Sequence, residues 1–160
     1  ERLLVLALVR AGDLDAARTR IERWPSADTV AGAIAARLAV GIAIPDERLV
    51  EATMAALNAP GSATARAFMA GADAAVGLSR RDLAATLLAR ARERFPTDSA
   101  IGLRYAALLT QEQDLTKARQ VLEKLKQAGP DDAGVVAAIA NTYALEGDFE
   151  IRGNGKLYQE

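Results

Sequence analysis

Apolar and small residues recur at intervals of three and four along most of the chain, the spacing that gives an α-helix one buried face. Short polar clusters interrupt the pattern. Ala11-Gly12-Asp13-Leu14, Gln113-Asp114-Leu115 and Glu146-Gly147-Asp148-Phe149 each follow an apolar-periodic segment. Each combines residues that leave the helical region with an acceptor suited to starting the next helix. Pro96 and Pro130 are each followed by acidic residues and a new periodic segment. Proline cannot continue the preceding helix, and Asp98 and Asp132 can cap the next one. The second quarter predicts a helix from about Thr29 to Val40 and another from about Asp46 to Leu57, then a turn cluster, Asn58-Ala59-Pro60-Gly61-Ser62.

The punctuation repeats. Asp114 and Asp148 are 34 residues apart, and so are Pro96 and Pro130. Counting from Ala65 as position 1 puts Phe68 at position 4, Gly71 at 7, Ala72 at 8 and Ala75 at 11. Ala84 falls at 20, Leu88 at 24, Ala91 at 27 and Pro96 at 32. Counting from Ser99 gives Tyr105, Ala106, Leu109, Ala118, Leu122, Leu125 and Pro130 at positions 7, 8, 11, 20, 24, 27 and 32. A third count, from Ala133, gives Val136, Ile139, Ala140 and Tyr143 at 4, 7, 8 and 11. Two antiparallel helices with small residues at fixed points in a 34-residue period resemble the tetratricopeptide repeat. Positions 8 and 20 then mark where the two helices cross most closely, and larger residues at 24 and 27 fill the wedge to the next repeat. The resemblance implies an all-α fold, a right-handed α-α superhelix of about four helical hairpins, the last incomplete.

The repeats fall at about 1–26, 27–64, 65–98, 99–132 and, in part, 133–150, which together make one predicted domain, 1–150. The first is matched by Leu4, Val5, Leu8, Ala17 and Ile21 and stops early at Trp24-Pro25. The second is irregular. Beyond Phe149 the pattern fails: position 20 is Arg152, and Gly153-Asn154-Gly155 opposes a helix. Residues 151–160 therefore read as a non-helical tail, with Asn154-Gly155 suited to a tight turn. The last first-helix then lacks its partner. Its apolar face needs cover from the tail or from another molecule, unless the chain simply stops there. The start at Glu1 rather than Met suggests part of a longer protein.

Composition narrows the chemistry. The 160 residues include no Cys and no His, and only 4% are aromatic, while Ala fills roughly a fifth. That excludes disulfides, thiolate or imidazole metal sites and His-dependent triads. Ala favours closely packed helices. A net charge of −1 argues against a general nucleic-acid or anionic-membrane binder. The most apolar stretch, Ala27 to Ile44, is interrupted by Asp28, Gly32 and Arg37 and is no membrane span.

No nucleotide-binding or hydrolase motif occurs. The acidic pairs Asp13/Asp15 and Asp131/Asp132 sit at predicted helix starts, where capping explains them better than general acid–base work. Arg66, Arg80, Arg81, Arg90, Arg92 and Arg94 form a local basic excess, read as a solvated face rather than an acidic-partner site. The resemblance implies that the inner helices line a concave groove. Its candidate lining is Arg66, Met69, Asp73 and Val76, then Leu103, Ala107, Thr110 and Gln111, then Asn141 and Leu145. Only Arg66 and Asn141 suit a carboxylate clamp, so the lining favours an apolar helix or extended segment.

The implied function is a non-catalytic protein-interaction scaffold within a larger bacterial protein, in exopolysaccharide export or envelope assembly, without a cofactor or metal. A regulatory or ligand-sensing module and a homo-oligomerising module through the open C-terminal end are the alternatives. A periplasmic location is favoured over a cytoplasmic one.

Overall fold

A computed structural model of the chain describes residues 2–24, 31–58, 64–129 and 132–157. Among the described residues there are nine α-helices and no strand. They are α1 (Arg2–Ala11), α2 (Leu14–Glu22), α3 (Ala31–Ala43), α4 (Glu47–Asn58), α5 (Ala65–Gly77), α6 (Arg81–Arg94), α7 (Ser99–Gln111), α8 (Leu115–Ala128) and α9 (Ala133–Leu157). The chain divides into two compact units, Glu1–Arg94 and Phe95–Glu160. The division lies four residues before the repeat boundary expected at 98/99.

The hairpin turns share one construction. Gly12, Ser79 and Gln113 all fall at repeat position 15 and have φ of 80°, 63° and 64°. The next N–H reaches back five residues, Asp13 to Leu8 O at 3.0 Å, Arg80 to Ala75 O at 2.8 Å and Asp114 to Leu109 O at 2.9 Å. This left-handed closure satisfies carbonyls that the helix end would otherwise leave unpaired. At the α1–α2 and α7–α8 turns the residue after the turn then caps the second helix. Asp13 Oδ1 accepts from Ala16 N, and Asp114 Oδ1 from Lys117 N. Asp46 does the same for Leu49 N at the start of α4. Asp98 caps α7 through Ile101 N, and Asp132 caps α9 through Gly134 N and Val135 N. Thr64 caps α5, a start that the sequence pattern did not single out.

In the first unit α3 lies at the centre and packs against α1, α2, α4 and α5. It is accordingly buried almost all round, from Ala33 to Gly41. One cluster joins Val5 and Val9 of α1, Ala17 and Ile21 of α2, and Ala36 and Val40 of α3, with Trp24 packed against it. On the other side α5 approaches α3 through Gly71. A Cβ there would come within 2.9 Å of Leu38 Cδ1 and 3.3 Å of Ile34 Cγ2. Ala72 on α5 and Ala84 on α6 are both buried, as positions 8 and 20 require.

The second unit repeats the arrangement. Ala106 and Leu109 of α7, Ala118, Val121, Leu122 and Leu125 of α8, and Val135 and Ile139 of α9 make one core, with Tyr105 partly buried against it.

The end of the chain departs from expectation. The segment 151–157, expected to be non-helical with a tight turn at Asn154-Gly155, continues α9 without a break; residues 158–160 lie outside the described residues. Gly147, at position 15, stays helical rather than turning. Extending an existing helix needs only one residue fixed per new hydrogen bond, and an interior Gly costs only about 1 kcal/mol. Of the face expected to be uncovered, Val136, Ala140 and Tyr143 are exposed, whereas Ile139 turns to the core with Val135 and Thr142.

Candidate protein-binding faces

Among the described residues no group of three or more His, Cys, Asp or Glu side chains could hold a metal ion. No described helix is long and apolar enough to cross a membrane. The acidic residues singled out in the sequence, Asp13 and Asp132, are occupied as helix caps. Asp131 lies outside the described residues.

The arginine-rich region is structural where its partners are visible. Arg80 pairs with Asp82 through two hydrogen bonds of 2.9 and 2.8 Å. The bond holds the Asp82 carboxyl down at about 2 and raises Arg80. Arg94 Nη1 donates to Leu57 O at 3.0 Å, satisfying a carbonyl in the last turn of α4. Arg90 and Arg94 line an open depression of about 460 Å³ with Asn58, Phe68 and Glu93, so an acidic side chain stands among the arginines. At the α7–α8 turn Lys117 pairs with Asp114 at 2.7 Å. The pair lowers the Asp114 carboxyl and raises the Lys117 ammonium.

The expected groove residues fall into two groups. In the first unit Arg66, Asp73 and Val76 of α5 are exposed and Met69 is half-buried. In the second unit Ala107 and Gln111 of α7 and Asn141 and Leu145 of α9 are exposed, while Leu103 and Thr110 are half-buried. The helical spacing puts Leu103, Ala107 and Thr110 in one row on α7 and Ala137, Asn141 and Ala144 in one row on α9. The two helices pack together, and a Cβ added to Gly134 would lie 3.5 Å from Leu103 Cδ1. The rows form a surface of small and apolar groups with amides at its edge. The Thr110 hydroxyl is turned inward onto Ala106 O at 2.9 Å and adds little outward polarity.

A second face lies on α9, where Val136 is 45% and Tyr143 53% exposed. The side chain of Arg119 on α8 stands 3.9 Å over the Tyr143 ring centroid, donates to Thr142 Oγ1 and pairs with Glu146. This cluster was not anticipated. The i, i+4 spacing of Thr142 and Glu146 was its only trace in the sequence.

Residues 75–142 match the family model for the tetratricopeptide repeat. No curated protein matches the sequence. Among solved structures, MamA of AMB-1 superposes with a TM-score of 0.52 at 20% identity, covering 93% of this chain and 82% of MamA. Two mutant forms of MamA give 0.50 and 0.52 at 19% identity, again over 93% of this chain and over 87% and 82% of theirs. At that identity the likeness shows the fold alone, and it is an all-α helical-repeat fold. The capped hairpins, the Ala pairs at positions 8 and 20 and the matched stretch agree: residues 75–142 carry the tetratricopeptide repeat, within an all-α helical-repeat fold.

Proposed function

We propose that the chain is a non-catalytic scaffold that holds a protein segment against the exposed rows of its inner helices. The observation that carries this is the α7–α9 surface, where Ala107, Gln111, Asn141 and Leu145 lie open on two packed helices. Small side chains let another backbone approach closely, and an apolar helix or extended strand of a partner suits such a surface. In the first unit, Arg66, Met69, Asp73 and Val76 of α5 form a row of their own that the same reading takes as a contact row. A bacterial envelope setting, exopolysaccharide export included, is supported by the resemblance of the repeats.

Photo-crosslinking side chains at Ala107 and Asn141, with Lys126 on the outer helix as control, test the reading in cells making the native protein. Adducts to one common protein from the first two positions and none from Lys126 support it. Equal adducts at all three, or none at Ala107 and Asn141, overturn it.

The exposed Val136 and Tyr143 support a second reading, in which this face joins two copies of the chain. Light scattering with and without residues 151–160 tests it, and a strictly monomeric protein at high concentration in both forms removes it.

A further inference from the structure

Arg66 stands where a helix accommodates a cation least well. It is the second residue of α5, whose first turn holds no acidic side chain and whose cap is the neutral Thr64. The N-terminal end of a helix carries partial positive charge, so a cation there costs stability and an acid adds to it. Arg48 and Arg81, in the first turns of α4 and α6, each have an acid beside them in the same turn, Glu47 and Asp82. Lys117, in the first turn of α8, pairs with the capping Asp114 at 2.7 Å. Arg66 has no such compensation. The nearest acids along the chain are Glu51 and Asp73, and no described residue makes a hydrogen bond or ion pair with its side chain. It is exposed, and it opens the α5 row that runs through half-buried Met69 and exposed Asp73 to Val76, which is 40% exposed. Asp73, the other charge in the row, is already engaged within the chain.

We propose that Arg66 is the specificity-determining residue of the α5 row: it takes a side-chain carboxylate of a protein segment whose apolar residues lie over Met69 and Val76. The idea rests on the reading above, that this row is a contact row, and adds the charge that the partner must carry. A guanidinium presents a planar fork that matches a carboxylate. The same carboxylate supplies the negative charge that the first turn of α5 lacks, so binding relieves a local cost as well as forming a pair. The row holds no second arginine or lysine. One cation suits one acidic side chain within a segment, not a chain terminus held by several cations. At 1.5 Å per helical residue, Met69 and Val76 lie about 4.5 and 15 Å from Arg66 along α5. An extended partner therefore carries its acid within about five residues of its apolar anchors.

Random dodecapeptides displayed on phage with fused C-termini are the probe, selected in parallel on the 160-residue chain and on its Arg66→Glu variant. The fusion removes the terminal carboxylate as a source of negative charge. The wild-type chain is expected to enrich Asp or Glu at a fixed offset from apolar residues. Arg66→Glu should reverse that position to Lys or Arg and keep the apolar ones. A peptide selected on wild type should bind Arg66→Gln about two- to fivefold more weakly, and molar salt should shrink the difference. The thermal midpoint separates selection from a structural role. Arg66→Glu puts an acid at the helix N-terminus and should melt roughly 1–4 °C above wild type, whereas loss of a structural arginine lowers the midpoint. Selected peptides without a charge preference, a preference that survives Arg66→Glu unchanged, or a lowered midpoint would each overturn the proposal and leave the contact row standing. If no peptide is selected on the wild-type chain, the contact row itself falls, and the proposal with it.

Discussion

The α7–α8 hairpin and the lone helix α9 begin from the same sequence plan and end differently. Both open with a capping Asp, and both carry a turn signal at positions 15 and 16. In the first, Gln113 takes φ 64° and Leu109 is covered; in the second, Gly147 stays helical and Tyr143 is exposed. Gln is a poorer left-handed residue than Gly, so local preference did not decide the outcome. The second helix did. Ala118, Leu122 and Leu125 give α8 a small residue at the crossing and apolar bulk beyond it. The matching positions after Gly147 offer Arg152 and Lys156 at 20 and 24. A turn signal therefore permits a hairpin, and the returning face makes it.

The strongest way to break the comparison is to overfill the crossing. Ala106→Trp or Ala118→Trp forces a large ring between α7 and α8 and is expected to cost more than about 3 kcal/mol. Ala140→Trp, at the same repeat position on α9, enters open space and should cost less than about 0.5 kcal/mol. Thermal or urea unfolding of the three variants decides it. Equal losses at Ala106 and Ala140 would show that α9 is already covered. Position 4 gives a milder version. A Cβ on Gly102 would run into the side chain of Leu125, so Gly102→Val should cost about 1–3 kcal/mol. Val136, the native residue at that position in α9, should tolerate exchange for Thr with little change. A neutral Gly102→Val would mean that α8 can shift as a whole.

The two glycines at position 15 should respond with opposite signs. Gly12→Ala places a side chain at φ 80° and is expected to lose about 1 kcal/mol, although nothing crowds its Cβ. Gly147→Ala replaces a helical glycine with the best helix former and should gain roughly 0.5–1 kcal/mol. Chemical denaturation of the paired variants measures both. A loss at Gly147 would mean that the turned form dominates in solution.

Much of this was legible in the residues, for identifiable reasons. The 34-residue spacing, the caps at Asp98 and Asp132 and the buried Ala72, Ala84, Ala106 and Ala118 follow from local geometry that each residue type states by itself. The extension of α9 was not legible, because Gly153-Asn154-Gly155 opposes a helix by local propensity, whereas a helix already formed propagates through such residues at small cost. The candidate faces were half legible. Periodicity identified which rows of α7 and α9 face outward, but Thr110 turns its hydroxyl onto its own helix. The grip of Arg119 on α9 depends on a contact 23 and 27 residues away in sequence, which no window along the chain reveals.

The smallest predicted effect separates the turns themselves. At position 16 the α1–α2 and α7–α8 turns have a capping Asp, whereas the α5–α6 turn has Arg80, which reaches forward to Asp82 instead. Both side chains are at least half exposed, so the pair contributes at most about 1 kcal/mol, and Asp82→Asn should remove no more than that at neutral pH. The folded carboxyl is depressed to about 2 from an ordinary 3.8, chiefly by its bond to Arg80. Its contribution is therefore complete above about pH 4 and disappears as the pH falls through 2. The stability gap between wild type and Asp82→Asn should be flat from pH 5 to 8 and close in strong acid. Molar salt should shrink it at neutral pH by screening the exposed pair. A gap that stayed undiminished well below pH 2 would show that Asp82 acts through its neutral form, as a first-turn hydrogen-bond acceptor for α6, and that the α5–α6 turn is capped after all.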